Sequence, residues 1–334
     1  MFILSAAAII GKSTNKPVYV NGRQTGVFSY GVPQPVFWHT MFHSSFFVKL
    51  QEYDEGSSRR MNESDFQVAI NTNFKEWKHT KYGIFTDGPF LTFQYNFPHR
   101  AFLMNLYRPT VEVQRWINDA AVKLGVALPG TSSSLAASYF DRTYAQLDLA
   151  EEGTGARNRV IREAAPGGGW SCDWPPSPCE SEIAQLECSS NNCERNVAIH
   201  LRLQDRSTTS DYWDQSHLTK AVSFINRAIS NGATVVVFSN DPVRAEALLR
   251  KQLNSEFLSR RSLQFSSTID VIEFGLMSQY FGTHILTGST YQLWAMFLTS
   301  LDHVNVKLMP GIDDTGFVEN AVRFQPKRYS FEQI

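Results

Sequence analysis

Two side chains suited to binding anions and sugars stand two residues apart in the second half of the chain. The apolar run that opens at Val197 carries His200 and Arg202, and residues two apart in a strand point to the same face. An arginine guanidinium is a planar fork that binds phosphate through paired hydrogen bonds, and a histidine can orient a sugar or exchange a proton. The spacing therefore predicts an anion site at a strand's carboxyl end, with Asp205 as a third candidate.

Each of these residues also has a purely structural interpretation. His200 can be an ordinary histidine at the end of a core strand, and Arg202 can form an ion pair with Asp205 or Asp241. The combination of the residues, rather than any one of them, favours a binding site.

More polar residues follow other apolar runs. Thr234–Phe238 has the pattern of a buried strand and leads into Ser239–Pro242, where Asp241 can cap a helix that begins at the proline. His284–Gly288 has a similar pattern and precedes a predicted helix, Ser289–Leu301, that opens on two capping residues. Polar candidates therefore stand at the carboxyl ends of several predicted strands.

Strand and helix patterns alternate around these positions. Leu218–Ile229 has an apolar stripe at helical spacing and ends at Asn231-Gly232, a C-cap pattern. Strands alternating with helices of this length indicate a parallel sheet with crossover helices, in which ligands bind beyond the carboxyl ends of the strands. The other predicted elements are a strand at Leu263–Ser266, a helix at Ile269–Tyr280 and a fifth strand at His303–Met309.

Length and composition narrow the class of protein. A chain of 334 residues predicts two domains. Apolar residues at 43% and charged residues at 19% are typical of soluble globular proteins. The net charge of −1 gives no positive excess for nucleic acid, and no apolar run is long enough to cross a bilayer.

The first half of the chain is more irregular. Leu4–Ile10 is interpreted as part of a buried helix rather than a signal sequence, because no basic region precedes it. A helix that starts at Pro109-Thr110 is predicted from an apolar face of Val113, Trp116, Ile117, Ala120 and Leu124. The remaining predictions are strands at Pro17–Val20, Phe46–Leu50 and Phe90–Phe97, a surface loop at Gly56–Arg60 and a helix at Ala136–Leu149.

All cysteines lie in one segment, at Cys172, Cys179, Cys188 and Cys193. The absence of a Cys-x-x-Cys pair disfavours a zinc knuckle and favours two local disulfides, for which three pairings are possible. Disulfides imply an oxidising compartment, and Asn62-Glu-Ser64 is a glycosylation sequence that agrees with secretion. The alternative is four free thiols in a cytosolic loop.

Several segments resemble those of a known family. His200–Asp205 resembles the His-x-Arg-x-Gly-Asp motif of the α-1,2-fucosyltransferases, a family of the fucosyltransferase superfamily, and Phe238–Asp241 resembles their Phe-Ser-Asp-Asp. Further segments similar to the family's motifs, in the same order, are Met1–Val20, Phe93–Phe97, Asp270–Ser278, His284–Leu286 and Ser289–Trp294.

The resemblance implies an α/β, GT-B-like fold of two Rossmann-like lobes, with a parallel sheet in the C-terminal lobe. Residues 1–165 would form the acceptor lobe, 166–195 a cysteine-rich linker and 196–334 the nucleotide-sugar lobe. It also implies an enzyme, a hexosyltransferase-type glycosyltransferase that moves fucose with inversion from GDP-fucose to the 2-OH of a glycan galactose, with no metal required. The implied location is the Golgi lumen, with a membrane anchor only upstream of this chain and no nucleic-acid partner.

The diphosphate of the donor would be held by two groups of donors. Matched to the family motif, Arg202 would be a bidentate phosphate ligand, a geometry that lysine cannot copy. Gly288, Ser289 and Thr290 would add N–H and hydroxyl donors at a helix start. His200 would position the sugar or the arginine, and both groups would stabilise charge on the leaving diphosphate.

The remaining roles are less constrained by the sequence. Asp241 or Asp270 would accept hydrogen bonds from the guanine edge. The general base is open among Asp87, Asp205 and His200.

The sequence also departs from the family pattern. Gln204 replaces the motif glycine, Gln292-Leu293 replaces a Ser-Trp pair, and the Gly-x-Gly-Asn-Gln loop expected before Met1 is not in the chain. These departures favour two alternatives: a truncated chain, or a non-catalytic relative that binds glycan or nucleotide. A glycosyltransferase of the same architecture with another nucleotide sugar is the remaining possibility.

Overall fold

The computed structural model describes residues 2–16, 18–21, 47–50, 58–79, 83–85, 93–109, 111–127, 195–203, 215–253, 262–266, 270–309 and 316–334. The chain divides into two compact units, one of Met1–Leu128 with Cys188–Ile334 and one of Pro129–Glu187. The second unit, the predicted helix Ala136–Leu149 and all four cysteines lie outside the described residues.

The amino-terminal part of the first unit has short helices and paired strands. The predicted helix at Leu4–Ile10 and the predicted strands at Pro17–Val20 and Phe46–Leu50 are confirmed. The prediction of a surface loop at Gly56–Arg60 is wrong at its end, because Ser58–Arg60 is a strand that pairs in parallel with Gly83–Phe85. The elements are α1 (Phe2–Thr14), β1 (Val18–Asn21), β2 (Phe47–Leu50), β3 (Ser58–Arg60), α2 (Glu63–Asn71), α3 (Lys75–Lys78), β4 (Gly83–Phe85), α4 (Arg100–Leu106) and α5 (Val111–Lys123).

The strand predicted at Phe90–Phe97 is wrong from Phe93 onward. The backbone forms 3-10 turns at Phe93–Tyr95 and Phe97–His99. Aromatic packing explains the difference, because the rings of Phe93 and Phe97 both lie against Phe297, with centroids 5.4 and 5.0 Å away. Tertiary contacts of this kind override a strand propensity that depends mainly on side-chain type.

Helix α5 confirms the predicted helix but not all of its predicted face. Val113, Ile117 and Ala120 are buried as predicted, whereas Trp116 is 37% exposed. Position 116 lies about 60° around the helix from position 113, at the margin of the apolar stripe. The stripe packs tightly on the next helix described below, because a Cβ at Gly275 would overlap the Ile117 side chain.

The second part of the unit is a six-stranded, fully parallel sheet. The strands are β5 (Val197–Leu201), β6 (Val235–Ser239), β7 (Leu263–Phe265), β8 (Thr283–Leu286), β9 (Val304–Leu308) and β10 (Tyr329–Gln333). Their spatial order is β7-β6-β5-β8-β9-β10, so the chain builds outward from β5 in one direction and then from β8 in the other. This is the order of a doubly wound α/β sheet and confirms the predicted parallel α/β class.

Helices cover both faces of the sheet. On one face, the apolar stripe of α6 packs in a single core with alternate β5 residues, from Val197 to Leu201. The predicted C-cap is confirmed at Gly232, whose φ of +82° requires glycine. The helices of this part are α6 (Gln215–Ser230), α7 (Pro242–Arg250), α8 (Asp270–Gln279), α9 (Thr290–Phe297) and α10 (Phe317–Phe324).

The carboxyl end of α9 differs from its prediction. The helix ends at Phe297 rather than Leu301. The buried side chain of Arg100 explains this end, because its Nε donates to the Phe297 carbonyl at 2.6 Å and its Nη2 donates to the Thr299 carbonyl. A cation at these carbonyls caps the helix and complements its dipole. Within the described ranges no helix is both long and apolar enough to span a membrane.

Candidate functional site

The sheet reverses its direction of growth between β5 and β8. The β5–β8 ladder stops at the pair Ile199 and Ile285, while the β5–β6 ladder continues to Leu201 and Ser239. In doubly wound sheets ligands bind beyond the carboxyl ends of the strands at such a switch point. The residues that follow β5 and β8 are therefore the first candidates for a site.

Arg202 follows β5 directly, and its side chain is exposed. Its charge lowers the pKa of the neighbouring His200, so the guanidinium acts on the same small region as the imidazole. Both predicted residues therefore lie at the carboxyl end of β5, next to the switch point.

His200 is buried in β5, with its ring centroid 5.2 Å from that of Tyr291 in α9. Its Nδ1 atom is buried and has no hydrogen-bond partner among the described residues. Burial, and then the charge of Arg202, lowers the pKa of His200 to about 4. The ring is therefore neutral near pH 7, and it is better suited to forming a hydrogen bond with a ligand than to accepting a proton from one.

The amino end of α9 lies just beyond β8. Gly288 has a φ of +79°, a conformation that favours glycine, and turns the chain into the helix. Ser289 occupies the N-cap position, as predicted, but its side chain makes no cap bond. Its buried Oγ has no partner within the described residues. Thr290, partly buried, begins the helix, and the N–H groups of this first turn can bind an anion.

The predicted carboxylates either follow strands other than β5 and β8 or fall outside the described residues. Asp241, on the β6 side of β5, accepts the Arg244 N–H at 3.0 Å and is the N-cap of α7, as its structural interpretation predicted. Asp270 opens α8 after β7, three strand positions from β8 in the sheet, and its side chain is not described. Asp205, Asp87 and Gln204 also lie outside the described residues.

Two further buried polar residues lie near these elements and were not predicted as site residues: Thr287 at the switch point and Gln292 against Ala198 in β5. The Thr287 hydroxyl donates to the His200 carbonyl at 2.5 Å, bridging β5 and β8 where their ladder has ended. Gln292 is fully buried in α9, and its Oε1 has no hydrogen-bond partner within the described part of the chain. The available signal for Thr287 was its place as a small polar residue directly after a buried strand.

Metal binding has no support in the geometry of the described residues, where no cluster of three or more His, Cys, Asp or Glu side chains could hold an ion. The donors at the switch point are instead a guanidinium, an imidazole, a hydroxyl and backbone N–H groups. This set is suited to an anionic or polyhydroxylated ligand. Comparison with models of protein families, with curated proteins and with solved structures gives no match.

Proposed function

We propose that the protein is a glycosyltransferase that resembles the α-1,2-fucosyltransferases and transfers fucose from GDP-fucose to a glycan hydroxyl. The observation that supports this is the pair of buried polar atoms, His200 Nδ1 on β5 and Ser289 Oγ at the start of α9, left without described partners on the two sides of the switch point. Buried polar atoms are nearly always paired, so a group such as a ligand is expected to complete them.

The diphosphate is the part of the donor that this geometry suits best. In the proposed complex the Arg202 guanidinium binds two phosphate oxygens, and the first turn of α9 adds backbone N–H donors. These groups stabilise the charge that develops on the leaving GDP, which is the main electrostatic demand of the reaction. The left-handed turn at Gly288 lets the backbone approach the phosphates closely.

The sugar and the base occupy the remaining positions in the proposal. Neutral His200 hydrogen-bonds the fucose or orients the arginine. Asp241 or Asp270 accepts hydrogen bonds from guanine, and Asp241 has one carboxylate oxygen engaged by the α7 cap. The general base stays open between Asp205 and Asp87, because a histidine with a pKa of about 4 is a weak base near pH 7.

The finer architecture and the cellular location are also proposals. In a GT-B arrangement, residues 1–165 would bind the glycan acceptor and residues 196–334 would bind the nucleotide-sugar donor. The cysteine-rich residues 166–195 would join the two lobes. A Golgi lumenal location would suit disulfides in that segment. No metal is required by the proposed mechanism, because Arg202 and the helix start supply the positive charge.

Calorimetry with GDP tests the proposal. Loss of a charge-assisted phosphate contact in Arg202→Ala should weaken GDP binding roughly ten- to hundredfold, and Arg202→Lys should recover only part of that loss. Arg250→Ala is the matched control, since Arg250 lies on the exposed face of α7 and pairs with Glu246. GDP binding that is absent, or equally tight in Arg202→Ala and Arg250→Ala, would overturn the proposal.

A second candidate is a non-catalytic relative that binds nucleotide or glycan without turnover. The low pKa of His200 and the glutamine at position 204 favour it. The two candidates differ in one assay: purified protein incubated with GDP-fucose and a galactoside either releases GDP or does not. A panel of other nucleotide sugars in the same assay separates a fucosyltransferase from an enzyme with another donor.

A further inference from the structure

The turn between β6 and α7 holds the backbone on both sides of Arg202. The Ser239 hydroxyl donates to the Leu201 carbonyl at 2.6 Å, and the Leu203 N–H donates to the Asn240 side-chain oxygen at 2.8 Å. These side-chain bonds continue the β5–β6 pairing beyond its last backbone pair, Leu201 with Ser239. The residue between the two held positions is Arg202.

The holding groups are themselves tied together. The Asp241 N–H donates to Ser239 Oγ at 3.1 Å, and the Asp241 carboxylate accepts the Arg244 N–H. The Arg244 guanidinium reaches back to the Leu203 carbonyl at 3.4 Å. The turn therefore forms one connected hydrogen-bond network, because Ser239, Asp241 and Arg244 each take part in two of these bonds.

We propose that Asn240 is a positioning residue for Arg202: by fixing the Leu203 N–H, it sets the direction in which the guanidinium leaves the strand. This inference rests on the proposed role of Arg202 in diphosphate binding and adds a second residue, Asn240, that acts through the arginine. Asn240 itself touches no ligand in the proposal. Its contribution is to restrict the conformations of the chain that follows β5, so that less freedom is lost when the diphosphate binds.

Asn240→Ala removes the bond to Leu203 N–H and should weaken the binding of GDP and of inorganic diphosphate roughly three- to tenfold. Asn196→Ala is the matched control. Asn196 precedes β5, and its buried amide donates to the Val126 and Tyr280 carbonyls, at 3.1 and 3.0 Å. It should lower the melting temperature at least as much as Asn240→Ala while leaving GDP affinity unchanged.

A double-mutant cycle with Arg202→Ala distinguishes positioning from a general structural role. If Asn240 acts through Arg202, Asn240→Ala should weaken GDP binding in the wild type but change it less than twofold in the Arg202→Ala background. Equal losses in both backgrounds, or no loss in either, would overturn the positioning role. An Arg202→Ala variant that binds GDP like the wild type would instead overturn the proposed function. Asn240→Ser, whose hydroxyl is too short to reach Leu203 N–H, replaces Asn240→Ala if the latter does not fold.

Discussion

The two sides of the carboxyl end of β5 differ in how completely their polar groups are paired. On the side of β6, here called the clasped side, Ser239 and Asn240 satisfy the backbone around Arg202. On the side of β8 and α9, the open side, Thr287 makes a single bridge to His200, and Ser289 Oγ has no described partner. Since unpaired buried groups are costly, the difference agrees with the proposal that one side is scaffold and the other faces a ligand.

The largest expected effect is the acid sensitivity of the open side. His200 and His284 lie on the same face of the sheet, because the β8 residue His284 pairs in register with Ala198. Burial is the main cause that lowers the pKa of each to about 4, with Arg202 adding to the shift at His200. The unfolded chain therefore binds protons first, so stability is full above about pH 6.5 and falls toward pH 4, by on the order of 3 kcal/mol for each histidine.

Urea unfolding across that pH range measures this loss. His200→Gln should reduce the fall in unfolding free energy, whereas His303→Gln, at an exposed histidine, should leave the fall as in the wild type. Identical pH dependence in the wild type and His200→Gln would mean that the buried ring on the open side is not neutral.

Two buried serines provide a direct contrast between the sides. Ser239→Ala on the clasped side removes the hydrogen bond that the hydroxyl donates to Leu201 and the one that it accepts from Asp241. This loss should lower the free energy of unfolding by about 2 kcal/mol. Ser289→Ala on the open side breaks no bond within the described structure and should leave stability unchanged or slightly raised. Its GDP affinity should instead fall several-fold. Chemical denaturation and calorimetry would contradict the contrast if both variants lost stability equally.

The smallest effect is expected from two glycines with nearly the same backbone conformation. Gly288 and Gly232 have φ of +79° and +82°, so an alanine at either should cost about 1–2 kcal/mol of stability. Only Gly288 precedes α9, so only Gly288→Ala should also weaken GDP binding. Thermal melts and calorimetry of the pair give the result, and a loss of affinity in Gly232→Ala would remove the distinction.

Much of the main sheet was predictable because its strands are apolar in continuous runs. Val235–Ser239 is buried along its whole length, so its pattern needs no knowledge of neighbours. The edge strand β10, Tyr329–Gln333, and the helix before it were not predicted, since most of the strand is exposed and its sequence is largely polar. The strand predicted at Phe90–Phe97 failed because aromatic packing between distant segments decides that conformation.

The places of the candidate residues in the fold were predictable, but their hydrogen bonds were not. His200, Arg202 and Ser289 stand where strands end, and a parallel sheet brings such ends to one edge. The bonds that separate the clasped from the open side depend on register, such as Leu201 opposite Ser239, which the sequence does not specify. Ser289 illustrates this limit, because residue type predicted its N-cap position but not that its side chain would make no cap bond.

The side chain of Asn196 has a consequence for how the chain could change in length. Its amide bonds to the Val126 carbonyl, so the residues on either side of 128–194 are fastened to each other within the first unit. Closing a longer loop between two fixed points costs little, about 0.6 kcal/mol for each doubling of its length. We therefore expect an insertion between Val126 and Asn196 to leave strand β5 in place.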